Sequence, residues 1–143
     1  MSNASDSLLE TVAALKHDLG KYVAWTSANL TDEAWADPVS DELIGALRGD
    51  ILETRKGRDG VHESAWEVWG RFRERLPSGL PPELASVEGA VERLEALAPI
   101  LETSDRAAIG ANADSIRDAQ ATIRSELRAL HRRLVRENAG DTP

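Results

Sequence analysis

The sequence predicts an all-α protein, an antiparallel bundle of four long helices, or five when a short one is counted. Apolar residues recur three and four positions apart through most of the 143 residues. Capping residues, prolines and glycines separate these periodic segments, and the sequence contains neither a strand pattern nor an internal repeat. We therefore expect more than half of the residues to be helical and no sheet to be present.

The first helix is predicted from a cap at Ser5 or Asp6 to about Leu30. Its apolar stripe consists of Leu8, Val12, Leu15 and Leu19, followed by Tyr22 or Val23 and by Thr26. The segment 31–38 is expected to form a short capped turn that ends before a proline. The stripe faces the core, so the opposite side of this helix is expected to be exposed.

Two further helices are predicted before residue 77. Ser40 is expected to cap the second helix, which ends near Arg55. A loop over 55–60 precedes the third helix, where His62 and Glu63 are expected in the polar first turn. The two core stripes are Leu43, Leu47 and Ile51, and Val61, Ala65, Val68, Trp69, Phe72 and Leu76.

The C-terminal part is predicted to be a helical hairpin over 83–138, joined to the N-terminal helices (1–76) by a proline- and glycine-containing linker at 77–82. We expect both parts to form one domain, 1–143. Pro99 is expected to kink or shorten the first helix of the hairpin, and Ser104 to cap the second. The hairpin stripes are Leu84, Val87, Val91, Leu94, Ala98 and Leu101, and Ile109, Ala113, Ile116, Ile123, Leu127, Leu130 and Leu134.

Composition excludes several classes of function. The 17 Lys and Arg against 25 Asp and Glu give a net charge of -8, a field that repels nucleic acids and anionic membranes, so neither is expected as a partner. The chain has no cysteine, which excludes disulfides, thiol catalysis and cysteine-ligated metals. The longest apolar run, 97–101, is far too short for a membrane span, and no signal-peptide pattern is present. We expect a cytoplasmic protein.

One motif in the first helix combines a reactive side chain with small neighbours. At about 100° per residue, His17 lies about 180° from the apolar stripe and therefore on the outer face. Its neighbours there are Ala13, Gly20, Lys21 and Ala24, all small except the lysine. Gly20 costs a helix about 1 kcal/mol relative to alanine, which makes sense where something approaches closely. The alternative is that these small residues face another helix of the bundle.

The pentapeptide HDLGK, from His17 to Lys21, resembles the His-Asp signature of the HD phosphohydrolase superfamily. That resemblance implies a metal site built from an upstream histidine, the His-Asp pair and a later aspartate. No histidine precedes His17 in this chain, and the other two, His62 and His131, lie downstream. We therefore expect no metal site at His17 and Asp18, and a degenerate HD-type phosphohydrolase stays as an alternative.

The same residues resemble the phosphoacceptor motifs of two-component signalling, in histidine-phosphotransfer domains and in the dimerisation helices of sensor kinases. In the kinase helices an acidic residue follows the histidine, as Asp18 follows His17. In the phosphotransfer domains a Lys and a Gly lie three and four residues on, where this chain has Gly20 and then Lys21. The resemblance implies an all-α relay protein with an exposed acceptor histidine in the middle of a helix.

The chemistry of these side chains fits a phosphoryl acceptor. A largely neutral imidazole at His17 offers a ring nitrogen as the nucleophile. Lys21, one turn later, balances the charge of the phosphoryl oxygens, while Asp18 takes a proton or orients the ring. The sequence lacks a phosphate-binding glycine motif, so no cofactor is expected and the phosphoryl group must come from a partner receiver domain or kinase. The alternative is a solvated polar face with no reaction.

Two surface features favour a noncatalytic alternative, a helical interaction or scaffold module that binds another helical protein or forms a homodimer. Trp66 lies about 140° from Val61 and so off the core stripe of the third helix, where it is either a binding anchor or the edge of the core. Arginines on the outer face of the last helix meet either an acidic partner or solvent, and they are Arg117, Arg124, Arg128, Arg132 and Arg136.

Overall fold

The structure is a computed structural model that describes residues 3–23, 32–37, 40–56, 60, 62–76 and 80–140. Helices make up 84% of these residues. They are α1 (Asn3–Val23), α2 (Asp32–Ala36), α3 (Asp41–Leu52), α4 (Ala65–Arg73), α5 (Pro82–Glu102), α6 (Arg106–Ala111) and α7 (Ala113–Gly140). The predicted all-α class is confirmed, because this fraction is far above one half and the strands described below are only two residues long.

The three longest helices form the centre of the bundle. Glu83 at the start of α5 pairs with Arg133 near the end of α7, with Nε and Oε2 2.8 Å apart, so these two helices are antiparallel. Gln120 in the first third of α7 donates from Nε2 to the carbonyl oxygen of Tyr22, near the end of α1, at 2.9 Å. The helices α3 and α4 pack against α1 and α5, which brings the apolar stripes together.

The apolar stripes are buried as their periodicity predicts. The buried side chains include Val12, Leu15 and Leu19 of α1, Leu43, Leu47 and Ile51 of α3, Val68, Trp69 and Phe72 of α4, and the predicted stripes of α5, α6 and α7. Burying a Leu, Ile, Val or Phe side chain contributes about 1.5–3 kcal/mol, so this core stabilises helices that are marginal in isolation. Within the described ranges, no helix has the length and apolar character needed to cross a membrane.

One predicted helix cap is confirmed and two are wrong. The predicted cap of the first helix at Ser5 or Asp6 is wrong because α1 already begins at Asn3, so both residues lie inside the helix. The side chain of Ser40 accepts a hydrogen bond from the backbone N–H of Leu43 at 3.2 Å, as expected at the start of α3. The helix that follows α5 is capped by Asp105 rather than Ser104, because the Asp105 carboxylate accepts from the N–H of Ala108 at 3.1 Å. A carboxylate also interacts favourably with the positive end of the helix dipole.

The predicted C-terminal hairpin differs from the structure in where its helices are interrupted. Pro99 does not shorten α5, which continues to Glu102, because a proline in the last turn removes only one intrahelical hydrogen bond. The second helix of the hairpin is instead broken at Asn112, which separates α6 from α7. The buried stripe nevertheless continues through Ile109, Ala113 and Ile116 across that break.

A short β-hairpin joins α3 to α4, so the expectation that the chain has no sheet is wrong at this point. Its strands β1 (Arg55–Lys56) and β2 (His62–Glu63) are antiparallel, with Arg55 paired to Glu63 and Lys56 to His62. His62 and Glu63 therefore form a strand, not the first turn of a helix as predicted. Two-residue strands are too short to produce an alternating sequence pattern. Gly60 has a φ of 83°, a backbone conformation that glycine adopts readily.

Some predicted features lie outside the described residues. The expected continuation of the first helix to about Leu30, including Ala24 and Thr26, is one of them, because α1 is described only to Val23. Val61 and part of the predicted linker, 77–79, are others. The remainder of that linker lies at the start of α5, where a proline suits the first helical turn because its missing N–H would have no intrahelical partner there.

A capping box fixes the start of α4. The hydroxyl of Ser64 accepts from the backbone N–H of Glu67 at 3.3 Å, and the Glu67 carboxylate accepts from the backbone N–H of Ser64 at 3.0 Å. The Ser64 backbone N–H, and then its hydroxyl, lower the pKa of Glu67 below its ordinary value of 4.5. The direction of α4, and of every side chain it carries, depends on this cap.

We predict that the cap gives the protein a defined acid sensitivity. Because the pKa of Glu67 is lower in the folded state, its carboxylate stabilises the fold above the unfolded pKa of 4.5, and that stabilisation is lost as the pH falls through the lower folded value. Glu67→Gln should therefore reduce the free energy of unfolding at neutral pH, and the two curves should converge once the pH falls below the folded pKa of Glu67. Urea unfolding from neutral to acid pH measures this, with Glu95→Gln, an exposed position in α5, as the control.

Candidate functional site around His17

His17 lies in the middle of α1 on the face away from the core, with 55% of its side chain exposed. Its ring nitrogen Nδ1 is 3.1 Å from Oδ1 of Asp18, the next residue. Adjacent side chains on a helix diverge by about 100°, so the ring turns back toward the carboxylate to make this contact. The other ring nitrogen, Nε2, makes no hydrogen bond within the described part of the chain.

Asp18 is buried, with 2% of its side chain exposed. Its second oxygen, Oδ2, accepts from Nη2 of Arg71 in α4 at 3.2 Å. The alternative of a solvated polar face is therefore wrong for this residue, because its carboxylate lies between two helices. A charged carboxylate is stable in such a position only when it is paired and hydrogen-bonded. The Asp18–Arg71 pair thus joins α1 to α4 directly beneath the exposed imidazole.

Arg71 also binds a second buried carboxylate, that of Glu63 in β2. Nε of the guanidinium lies 2.9 Å from Oε2, and Nη2 lies 2.7 Å from Oε1, a two-pronged geometry that a planar guanidinium suits. The backbone carbonyl of the same Glu63 accepts a hydrogen bond from the hydroxyl of Tyr22, a buried residue of α1. One guanidinium therefore connects α1, β2 and α4, and the tyrosine hydroxyl adds a second link from α1 to the hairpin.

These contacts determine which ring nitrogen of His17 carries a proton. An ionised carboxylate, which the neighbouring guanidinium favours, has no proton to donate, so the Nδ1 that contacts Asp18 acts as the donor. In the neutral ring the lone pair then lies on Nε2. The arrangement provides an oriented imidazole whose free nitrogen is available as a nucleophile or a base. Asp18 is thus in the position required for the ring-orienting role expected of it.

Lys21, one turn after the histidine, is tied to the β-hairpin. Its Nζ donates to the backbone carbonyl of Lys56 in β1 at 2.5 Å. An ammonium has three N–H donors, so this bond leaves two for another ligand. The bond also sets where the charge lies, because it draws the end of the side chain toward β1. This bond therefore holds the hairpin against α1.

The small residues near His17 leave space above the helix. A Cβ placed on Gly20 would meet no atom of the described residues within 4 Å, so no helix described in the chain packs over it. This finding disfavours the alternative in which the small residues form a helix-packing seam. Ala13 is half-buried, and Ala24 lies outside the described residues. The access role of these three positions stays a prediction.

Trp66 is not part of this cluster in the described structure. It is half-buried and packs against the edge of the hydrophobic core, which agrees with the simpler of its two interpretations. The neighbouring Trp69 is buried, and its Nε1 lies 3.4 Å from Oε2 of Glu88 in α5. The binding role predicted for Trp66 therefore has no contact to support it.

Sequence reasoning missed Arg71 and Glu63, which complete the cluster. A helical projection places Asp18 only about 40° from the core residue Tyr22, so a charge at the margin of the core was detectable. Arg71 likewise lies about 60° from the core residue Val68. Two opposite charges at the margins of two helices suggest a pair, but only the packing of α4 on α1 shows that they meet. Nothing in the sequence indicated that Glu63 points inward from a strand.

We predict that Arg71 is essential for stability while a comparable surface arginine is not. Arg71→Met leaves two buried carboxylates without their cationic partner and should reduce the free energy of unfolding by about 3 kcal/mol or more. Arg73→Met in the same helix removes an exposed pair with Glu88 and should cost no more than about 1 kcal/mol. Urea denaturation followed by circular dichroism gives both values. Equal losses in the two variants would show that the buried cluster has no special role.

The side chains of the cluster are not arranged around a common point as metal ligands would be. Among the described residues, no group of three or more His, Cys, Asp and Glu side chains is arranged to hold a metal ion. The space between the Asp18 and Glu63 carboxylates is taken by the Arg71 guanidinium, which already supplies the positive charge.

Comparisons with known proteins give no match: no family model, no curated protein and no solved structure matches this chain.

Proposed function

We propose that this protein is a histidine-phosphotransfer-like relay protein in which Nε2 of His17 accepts a phosphoryl group from a partner receiver domain or kinase. The observation that carries the proposal is an exposed imidazole whose Nδ1 is held by a buried carboxylate. A surface histidine with no chemical role gains little from a buried carboxylate that is hydrogen-bonded to its ring. A nucleophile gains orientation and a fixed tautomer from it. The proposal keeps the cytoplasmic location expected from the sequence.

The transfer step follows from this geometry. The lone pair of Nε2 attacks the phosphorus of an acyl phosphate on the partner, the new N–P bond forms, and the P–O bond to the partner's carboxylate breaks. The leaving carboxylate departs with the electron pair of that bond. The ring gains positive charge as the N–P bond forms, and Asp18, bonded to Nδ1–H, stabilises that charge. No proton has to leave the ring during the step.

Lys21 and Gly20 have separate roles in the proposal. Two N–H donors of the Lys21 ammonium remain for the phosphoryl oxygens, although the bond to Lys56 holds the group toward the hairpin. Gly20 leaves the surface beside the imidazole without a projecting side chain, and nothing in the described residues covers this position. A flat partner surface can thus approach the ring. Ala13 and Ala24 complete the small-residue face in the sequence pattern.

The two alternatives make different demands on the same residues. A degenerate HD-type phosphohydrolase needs the Asp18 carboxylate for a metal ion, and the contact with Arg71 competes with that use. A scaffold module has no need for an oriented imidazole. Solvent exposure of His17 favours an acceptor over a metal ligand, because a metal site requires several side chains that converge on one point.

The direct test is chemical phosphorylation with phosphoramidate, followed by mass spectrometry and phosphorus NMR. We expect an acid-labile, base-stable modification on Nε2 of His17. His17→Gln should abolish it with a change in stability of no more than about 0.5 kcal/mol, since the residue is exposed. The matched control is His62→Gln, which removes another exposed histidine and should leave labelling intact. Labelling that survives His17→Gln and disappears in His62→Gln would contradict the proposal.

Transfer from a phosphorylated receiver domain separates the roles of the neighbouring residues. Lys21→Ala should slow transfer without abolishing it, because the nucleophile remains. Gly20→Leu should block transfer from the protein donor but not from phosphoramidate, and it should raise helix stability by up to about 1 kcal/mol. If no receiver or kinase from the same cell labels the parent protein, the proposed relay function is wrong and the scaffold alternative gains support. Destabilisation by Gly20→Leu would instead place another helix over that position.

A further inference from the structure

The C-terminal half of α7 carries a row of arginines on its outer face. Arg128, Arg132 and Arg136 are four residues apart and all exposed, so they lie on one side of the helix over about 12 Å. No ion pair involves these three side chains within the described part of the chain. Arg133 of the same helix, by contrast, is paired with Glu83 and Glu137, which raise its pKa above the usual arginine value.

This row works against the stability of its own helix. Like charges four residues apart repel each other, and neither Arg128 nor Arg132 has an acidic residue three or four positions away in the sequence. The concentration of arginine is not a consequence of composition, because the chain has 25 acidic residues and only 17 basic ones. These arginines form no ion pair within the described part of the chain, although the protein is acidic overall. Such a cluster of basic residues on one helix face is suited to an anionic partner.

An apolar side chain lies within this row. Val135 is 44% exposed, and among the described residues it is the one large hydrophobic side chain that is exposed. It lines an open depression together with Ala129, His131, Arg132 and Arg136. We call the exposed residues Arg128, Arg132, Val135 and Arg136 the α7 stripe. The stripe thus combines three arginines with one exposed apolar side chain at its edge, and surfaces that bind other proteins are enriched in arginine and in apolar side chains.

We propose that the α7 stripe docks an acidic amphipathic helix of a partner protein. Carboxylates on the flank of that helix pair with the arginines, and an apolar side chain rests on Val135 and Ala129. A polyanion such as RNA or an anionic bilayer is less suited, because the net charge of -8 repels an extended anionic surface while a single helix meets only the local cationic field. The site lies on α7 and does not depend on phosphoryl transfer at His17.

The test uses two short helical peptides with the same leucine pattern, one with glutamate flanks and one with glutamine flanks. Fluorescence anisotropy of the labelled peptides should show that only the glutamate peptide binds and that added salt weakens it. The double variant Arg128→Gln/Arg132→Gln should weaken binding by about tenfold, and Val135→Ser should weaken it as well. The matched control is Arg93→Gln, an exposed arginine of α5, which should leave binding unchanged.

Stability gives a second readout that needs no ligand. If repulsion between the arginines of the stripe destabilises α7, Arg128→Gln/Arg132→Gln should raise the melting temperature by about 2 °C. Glutamine keeps the helix propensity and removes the repulsion. Four outcomes would overturn the proposal: equal binding of both peptides, binding unaffected by the double variant, tighter binding of phosphatidylserine vesicles or single-stranded RNA, or a lower melting temperature. Self-association that the double variant abolishes would assign the stripe to a second copy instead.

Discussion

The ion pair between Asp18 and Arg71 is the contact on which the rest of the site depends. It places a negative charge at the margin of the core, where 2% of the side chain is exposed, and that position is stable only with a cationic partner. The pair fixes the distance between α1 and α4, and it leaves one carboxylate oxygen of Asp18 directed at the imidazole of His17. Neither helix supplies this arrangement alone, because each carries only one of the two charges.

The remaining elements of the fold bring Arg71 to that point and hold it there. The Ser64–Glu67 capping box starts α4 beside the hairpin, and both carboxylate oxygens of Glu63 accept hydrogen bonds from the Arg71 guanidinium. Tyr22 connects the end of α1 to its neighbours twice, since its hydroxyl donates to the carbonyl of Glu63 and its own carbonyl accepts from Gln120 of α7. The exposed His17 therefore lies beside a buried network of hydrogen bonds that holds Asp18 in place.

The sequence was sufficient for the helices and insufficient for the cluster. Helical periodicity identified the buried faces because apolar burial at spacings of three and four leaves a strong pattern, and the position of His17 opposite the stripe follows from the same periodicity. The hairpin was missed because two-residue strands carry no pattern. The pairing of Asp18 does not follow from the sequence, because its partner Arg71 lies 53 positions away in the chain. Pairing at that separation is a property of packing, which no local signal reports.

The protonation state of the His17 ring tests this account most directly. Long-range proton–nitrogen NMR correlations of the parent protein distinguish the two neutral tautomers of each histidine. The buried carboxylate should hold the proton on Nδ1, leaving Nε2 unprotonated in the neutral ring, and Asp18→Asn should remove that bias while His62 is unaffected. A neutral His17 that carries its proton on Nε2 in the parent protein, or that keeps the same tautomer in Asp18→Asn, would contradict the claim that the Asp18–Arg71 pair orients the His17 ring.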